Sequence, residues 1–372
     1  MNIGINMAPL LKGKNITGIG TYVINVLARI LENDNSNDYF LISNGDLSVD
    51  FPNKSNVHYV QLKCPSSYVF SRYYVIKEIL GKKIDVYWTT TQALPLLKPK
   101  KTRYCMTIYD IANLKNVDFA LYRTPRQKLF KYVTGVSLKK ADDVFAISEA
   151  TKEDLIDVFK VHDASKIHVI YLGNGRFSGN ITDEALNRFG IKQPYILYVG
   201  TLQPRKNIKT IVEGFIRFRE NEKGIQLVLA GGKGWGMEEV IEEIKNSDVK
   251  DDIVMTGFVS EEDKQCLYKN AACVAFPSLY EGFGIPVLEA FEYGLPVITA
   301  KNSSLPEVGG DAAFYLDNEK SSEEMANMLE RVMHFSDEER ASVKKKDENQ
   351  LQKFNWDKCA KETHEILIGD NN

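Results

Sequence analysis

Short apolar runs recur along this chain with helical periodicity filling the gaps, and that alternation constrains the fold more than any other feature. The runs lie at residues 1–7, 39–43, 58–62, 85–89, 104–109, 144–148 and 167–171. Between them, apolar residues repeat at helical spacing over 20–32 (Tyr22, Val23, Val26, Leu27, Ile30, Leu31), 68–80, 125–140 and 148–159. Strands alternating with helices predict βαβ units and a mostly parallel sheet. A turn-rich stretch, 173–194, reads as a linker, and the alternation then restarts. Strands are expected at 195–199, 226–230, 253–256, 273–276 and 297–299, and helices at 208–219, 236–245, from Ser260, and at 286–293. Ser260 with Asp263, Ser321 with Glu324 and Ser336 with Glu339 have the spacing of capped helix starts. The chain reads as an α/β protein of two open parallel sheets facing a cleft, divided into residues 1–190 and 191–354.

Composition narrows the function classes. No apolar run approaches the ~20 residues of a membrane helix. The start, Met1-Asn2-Ile3-Gly4-Ile5, is strand-like and lacks the basic region of a signal peptide. Five cysteines without a CxxC, and five scattered histidines, disfavour a disulfide framework or a metal site and fit reduced thiols in the cytoplasm. The net charge of −3 hides an asymmetry: 25 basic against 18 acidic residues up to Arg188, then 22 against 32. Two stretches of the first half, 68–83 and 122–140, combine aromatics with basic residues (Tyr73, Tyr74, Lys77; Arg123, Lys128, Leu129, Phe130, Lys131, Tyr132, Val133, Val136). Basic amphipathic helices of this kind suit an anionic membrane surface. Nucleic-acid binding is disfavoured, because the basic patches are local and no aromatic-basic ribonucleoprotein motif occurs.

In open parallel sheets ligands bind beyond the carboxyl ends of the strands. Four loops of that kind carry chemistry. Gly18-Ile19-Gly20 opens the first helix, where glycines admit a ligand to backbone amides. Arg205 and Lys206 follow the strand at 195–199 and form an anion clamp. Glu281, Gly282, Phe283 and Gly284 lead into a helix that carries Glu289 about one turn in. Two carboxylates flanking glycine amides suit a sugar nucleotide, since carboxylates accept from hydroxyls and amides hold a diphosphate. Glu289 stands among Val287, Leu288, Ala290 and Phe291 and so requires a partner. Tyr109-Asp110 closes the strand at 104–109, where Asp110 can position a hydroxyl or simply form a turn or helix cap.

The Glu281-to-Glu289 spacing, with Phe276, Ser278, Tyr280, Gly282, Gly284, Pro286 and Ala290 around it, resembles the E-x7-E element of family 4 retaining glycosyltransferases of the GT-B architecture. The segment from Gly200 to Asn207, the run Ser303-Ser304-Leu305-Pro306-Glu307-Val308, Gly18-Ile19-Gly20 and Phe354-Asn355-Trp356 are similar to further runs of that family. The resemblance implies two Rossmann-like domains, with 355–372 crossing back to the first. It implies that Glu281 hydrogen-bonds the transferred sugar and Glu289 the ribose. Arg205 and Lys206 would neutralise the leaving diphosphate, helped by amides of Gly20 and of Gly282, Phe283 and Gly284. Gly257, Phe258 and Val259 would hold the base through backbone groups. No metal or cofactor is expected beyond the nucleotide-sugar co-substrate, and the chain has no Asp-x-Asp.

Two positions depart from the family pattern. Thr201 stands where many relatives have Arg, and Arg205 supplies that charge. Tyr109-Asp110 stands where His-Asp is common; a phenol donates a hydrogen bond but, with a pKa of about 10, is no near-neutral base. The expected activity is hexosyl transfer to a saccharide or lipid-linked acceptor in cell-surface polysaccharide or glycolipid synthesis. The Pro-Arg-Lys-Asn and Ser-Leu-Tyr-Glu-Gly-Phe-Gly runs resemble mannosyltransferases that use GDP-mannose; the cysteine usage and the two basic stretches lead us to expect a cytoplasmic protein that can dock on the inner face of the membrane. A sugar-nucleotide epimerase of the same architecture and a non-catalytic sugar-nucleotide-binding protein are the alternatives.

Overall fold

The structure, a computed structural model, describes residues 1–13, 18–64, 66–115, 125–175 and 181–369, without the side chain of Arg126. Its contacts divide the chain into two units, Met1–Gly173 with Phe354–Asn372, and Asn174–Lys353. The division falls at the start of the expected linker rather than at its end. The reason is the helix Glu184–Phe189, which packs into the second unit: Arg188 pairs with Asp263, and Asp183 accepts from Asn270 at 2.9 Å.

The first unit holds β1 (Asn2–Asn6), β2 (Asp38–Ser43), β3 (Val57–Gln61), β4 (Val86–Thr89), β5 (Arg103–Ile108), β6 (Asp143–Ala146) and β7 (Ile167–Val169). They form one parallel sheet in the order β3-β2-β1-β4-β5-β6-β7. The second unit holds β8 (Tyr195–Val199), β9 (Gln226–Ala230), β10 (Ile253–Gly257), β11 (Cys273–Phe276), β12 (Val297–Ala300) and β13 (Phe314–Leu316). Their order is β10-β9-β8-β11-β12-β13, again all parallel. The two expected Rossmann-like sheets are therefore present. Every residue of β4, β8, β9 and β11 is buried, as in strands covered by helices on both faces. The edge strand β13, only three residues long, is too short to leave a periodic signal.

The caps form as the sequence spacing predicts. Ser260 with Asp263 and Ser336 with Glu339 make full capping boxes, and Ser321 accepts from the Glu324 amide at 3.1 Å. The helix expected over 68–80 is instead interrupted: Ser67–Val69 and Val75–Gly81 flank a wide π turn, Phe70–Tyr74. That turn buries three consecutive residues, Phe70, Ser71 and Arg72. Arg72 donates to the Leu94 carbonyl at 3.0 Å and Ser71 accepts from Asn6 at 2.9 Å, and a regular helix would not aim all three inward.

The last helix, Trp356–Ile368, packs in the first unit. Arg29 bonds Asp357 at 2.6 Å, His364 bonds Asp34 at 2.9 Å, and Arg103 donates to the Ile366 carbonyl at 3.1 Å. A Cβ on Gly173 would lie 2.3 Å from the Trp356 nitrogen, so this crossing admits only glycine.

Candidate functional site

The strand order reverses once in each sheet, between β1 and β4 and between β8 and β11. Loops diverge at such a switch point and leave a crevice where ligands bind. In the second unit the loops leaving β8 and β11 bring Arg205, Lys206 and Glu281 together. Glu281 is 7% exposed. It receives Lys206 Nζ at 2.5 Å on one oxygen and Arg205 Nη1 at 3.1 Å on the other. Lys206 also stands 5.1 Å over the Phe276 ring. Burial alone would raise the Glu281 carboxyl, but the Lys206 and Arg205 charges outweigh it and hold it below the ordinary range.

Local structure explains this gathering. Pro204 opens a single 3-10 turn, Pro204–Lys206, which ends at Asn207 in the left-handed conformation (φ 58°). Asn207 then starts the helix Ile208–Asn221, and its side chain donates to the Pro277 and Glu319 carbonyls at 3.0 and 2.6 Å. The Leu279 amide donates to the Arg205 carbonyl at 2.9 Å, and Arg205 itself donates to the Tyr280 carbonyl. The loop leaving β8 is thus bonded along its length to the loop leaving β11. Gly231 is required beneath it, because a Cβ there would lie 2.0 Å from the Gly200 carbonyl oxygen.

Glu289 has the partners its apolar neighbourhood demanded. Lys264 Nζ lies 2.5 Å from one oxygen and the Tyr268 hydroxyl donates to the other at 2.9 Å. Both partners come from the helix Glu261–Asn270, some twenty residues earlier in the chain. Burial alone would lower the Lys264 ammonium, but Glu289 and Glu261 outweigh it and raise it. Gly282, Phe283 and Gly284 are buried, and Gly284 (φ 126°) caps the helix Ile285–Glu292 that carries Glu289. Val259 is half-buried in the turn between β10 and Ser260, with Phe258 beside it 73% exposed.

The remaining candidates lie in the first unit. Gly18 and Gly20 stand in the first turn of the helix Gly18–Asn33, Gly20 buried and Gly18 exposed. Tyr109 is buried; its hydroxyl donates to the Thr90 carbonyl at 3.2 Å and its ring packs edge-on against Tyr22. Burial pushes its phenol well above its ordinary pKa, so it keeps its proton. Asp110 accepts from the Ala112 amide at 3.1 Å and forms the turn into the helix Ala112–Lys115. In the basic stretches the structure sorts the apolar residues. Phe70, Val75, Ile79 and Val133 are core, whereas Tyr68, Tyr73, Tyr74, Leu80, Leu129 and Tyr132 are exposed beside Lys77, Lys128 and Lys131. Tyr122, Arg123 and residue 124 lie outside the described residues. Among the described residues no helix is long and apolar enough to cross a membrane, and no three His, Cys, Asp or Glu side chains group to hold a metal.

Known proteins are similar to this chain in sequence or in fold. O-antigen chain mannosyltransferase B of Escherichia coli is 34% identical over 172 residues, 46% of this chain and 45% of that protein, so the match spans under half of that relative's length. O-antigen chain mannosyltransferase RfbU of Salmonella typhimurium is 25% identical over 269 residues, 71% of this chain and 70% of its own. Sucrose-phosphate synthase from Thermosynechococcus elongatus superposes with a TM-score of 0.76 at 17% identity, over 99% of this chain and 98% of that one. Residues 182–350 match the model of the glycosyl transferases group 1, nearly the whole of the second unit. That match covers under half of the chain and makes the second unit similar to the glycosyl transferases group 1.

Proposed function

We propose that this protein moves a hexose, with retention of anomeric configuration, from a nucleoside diphosphate sugar to a saccharide or lipid-linked acceptor, in the synthesis of a cell-surface polysaccharide. The single observation that carries this reading is the pairing of the buried Glu281 with the half-buried Lys206 and Arg205 at the β8/β11 switch point. In such a transfer the anomeric C–O bond breaks through an oxocarbenium-like state and negative charge builds on the leaving diphosphate. Lys206 and Arg205 are pre-positioned cations for that charge, and fixed charges in a buried site supply the largest protein contribution to such a step. Glu281, kept ionised by the same two cations, accepts from sugar hydroxyls. Glu289 accepts from the ribose. GDP-mannose is the favoured donor, because the first two relatives are named as mannosyltransferases and the runs around Arg205 and Glu281 resemble enzymes of that kind.

The test is thermal stabilisation of the purified protein by GDP-mannose, UDP-glucose, UDP-N-acetylglucosamine, GDP and UDP. A ligand at about 100 times its dissociation constant adds ~2.7 kcal/mol to the native state. A selective shift with the guanine nucleotides, lost in Glu289→Ala, is expected. No shift with any of the five overturns the reading.

The exposed aromatics Tyr68, Tyr73, Tyr74 and Tyr132, interleaved with Lys77, Lys128 and Lys131, support docking of the first unit on an anionic bilayer that presents the acceptor. The protein should sediment with phosphatidylglycerol vesicles and not with phosphatidylcholine ones. Equal recovery with both contradicts this docking.

A further inference from the structure

Three consecutive residues after β12 reach into the loop that carries Glu281. Asn302 Nδ2 donates to the Ser278 carbonyl at 3.2 Å. Ser303, at φ 47° in a conformation uncommon for any residue with a Cβ, accepts the Glu281 amide on its hydroxyl at 2.9 Å and donates to Asn302 Oδ1 at 3.1 Å. Ser304 is fully buried, and its hydroxyl faces two carbonyls, that of Glu281 at 3.0 Å and that of Phe283 at 2.6 Å.

Ser304 also occupies the N-cap of the helix Leu305–Gly309, where a serine hydroxyl ordinarily accepts a backbone amide of the first turn. Here it makes no such bond. The side chain is turned away from its own helix and toward the neighbouring loop.

A peptide unit is planar, and when it is trans its C=O and N–H point in opposite directions. The bonds following Glu281 and Phe283 are not cis. With its single proton shared between the two carbonyls, and closer to that of Phe283, Ser304 favours the peptide orientations in which the amides of Gly284 and Gly282 point to the opposite side. One buried hydroxyl thus bears on two alternate peptide planes, and the Ser303 hydroxyl accepts a third group, the Glu281 amide.

We propose that Ser304, with Ser303 as its support, is a positioning residue for the transfer reaction: it orients the Gly282 and Gly284 amides and the Glu281 backbone for the departing diphosphate and the sugar. This rests on the reading of the second unit as a donor site. The pair acts through the loop and touches no reacting atom.

The experiment compares wild type, Ser304→Ala, Ser304→Thr and Ser303→Gly. The readouts are binding of GDP and UDP, and kcat and KM for nucleoside diphosphate release from GDP-mannose and UDP-glucose with water as the acceptor. Ser304→Ala is expected to lower kcat about tenfold or more while the donor KM moves less than about threefold. Ser304→Thr, which restores the hydroxyl, should recover kcat to within about threefold of wild type. Ser303→Gly relieves the positive φ, so it folds, yet it loses the acceptor for the Glu281 amide; it should show the same kcat-weighted loss to a smaller degree. A wild-type kcat in both Ser304→Ala and Ser303→Gly, or an equal loss in the Ala and Thr variants of Ser304, overturns the proposal. A wild-type protein that binds neither GDP nor UDP overturns the donor reading itself, which separates the two failures.

Discussion

Two buried carboxylates of the second unit have opposite chemistry. Glu281, in the loop after β11, lies between Lys206 and Arg205, which hold it ionised below its ordinary range. Asp347, on the helix Asp337–Leu351, is fully buried, and among the described residues neither of its oxygens has a hydrogen-bond partner. Burial, with the Glu348 charge adding to it, pushes the Asp347 carboxyl up to about 8. Burial is common to both, so the partners decide the charge state. A carboxylate with cationic partners stays ionised in the interior, while one left without partners keeps its proton and costs stability as pH rises.

The sharpest way to break this comparison is the pH dependence of folding. Below about pH 4 both the native and unfolded chains protonate Asp347, and it contributes no penalty. As pH rises toward 8 the unfolded chain ionises it while the native chain keeps the proton, so stability is lost through that window. The loss is on the order of 3 kcal/mol between pH 5 and pH 8, from a slope of about 1.4 kcal/mol per pH unit at one proton's difference. Asp347→Asn removes this slope. Urea unfolding at pH 5 and pH 8 measures it, and parallel curves for variant and wild type would show that Asp347 finds a partner in solution. Glu281 works in the opposite sense: its lowered value contributes stability above its ordinary range and loses it as pH falls through that range into acid.

The next effect in size concerns turnover. Lys206→Ala removes the cation nearest Glu281 and should cut sugar transfer by at least about tenfold, on the order of 1.4 kcal/mol in the barrier. Glu281→Gln keeps the shape but leaves Lys206 and Arg205 without their counter-charge. It should bind GDP or UDP more tightly by a few-fold while turnover falls by at least about tenfold. Calorimetric titration of the bare nucleotides checks the first half and initial rates the second. Weaker nucleotide binding in Glu281→Gln would mean that the carboxylate orders the cations rather than competing for them.

Both sheets and most helices were legible because their signals are local. Apolar runs, capping serines, and proline and glycine in turns lie within a few residues of what they determine, so Ser260 and Ser336 cap as their spacing predicts. That Arg205, Lys206 and Glu281 come together was legible because all three sit in loops that follow strands. What was hidden depends on tertiary neighbours. Lys264 and Tyr268 meet Glu289 only after the helix Glu261–Asn270 has docked, and no short-range pattern marks them. The roles of Ser303 and Ser304 left no sequence signal, because a hydroxyl turned toward another loop cannot be told from a cap in sequence. The wide turn at Phe70–Tyr74 was masked by apolar residues that fit regular helical spacing.

Glu289 stands between the two extremes, and the smallest predicted effect tests it. Its carboxylate has one cationic partner, Lys264 at 2.5 Å, and one neutral donor, the Tyr268 hydroxyl at 2.9 Å. Tyr268→Phe deletes only the neutral donor. The ring stays stacked on Tyr293, with centroids 6.0 Å apart, so the packing is kept. The lost bond is worth about 1 kcal/mol if Glu289 must be aimed, and close to nothing if Lys264 alone aims it. With Glu289 bound to a ribose, that loss appears as a roughly fivefold weaker dissociation constant for GDP or UDP, with kcat for sugar transfer unchanged because the ribose does not react. An equal fall in kcat would place Glu289 nearer the sugar than its role here requires. An unchanged dissociation constant would assign its orientation to Lys264 and leave Tyr268 a core residue whose hydroxyl simply needed an acceptor.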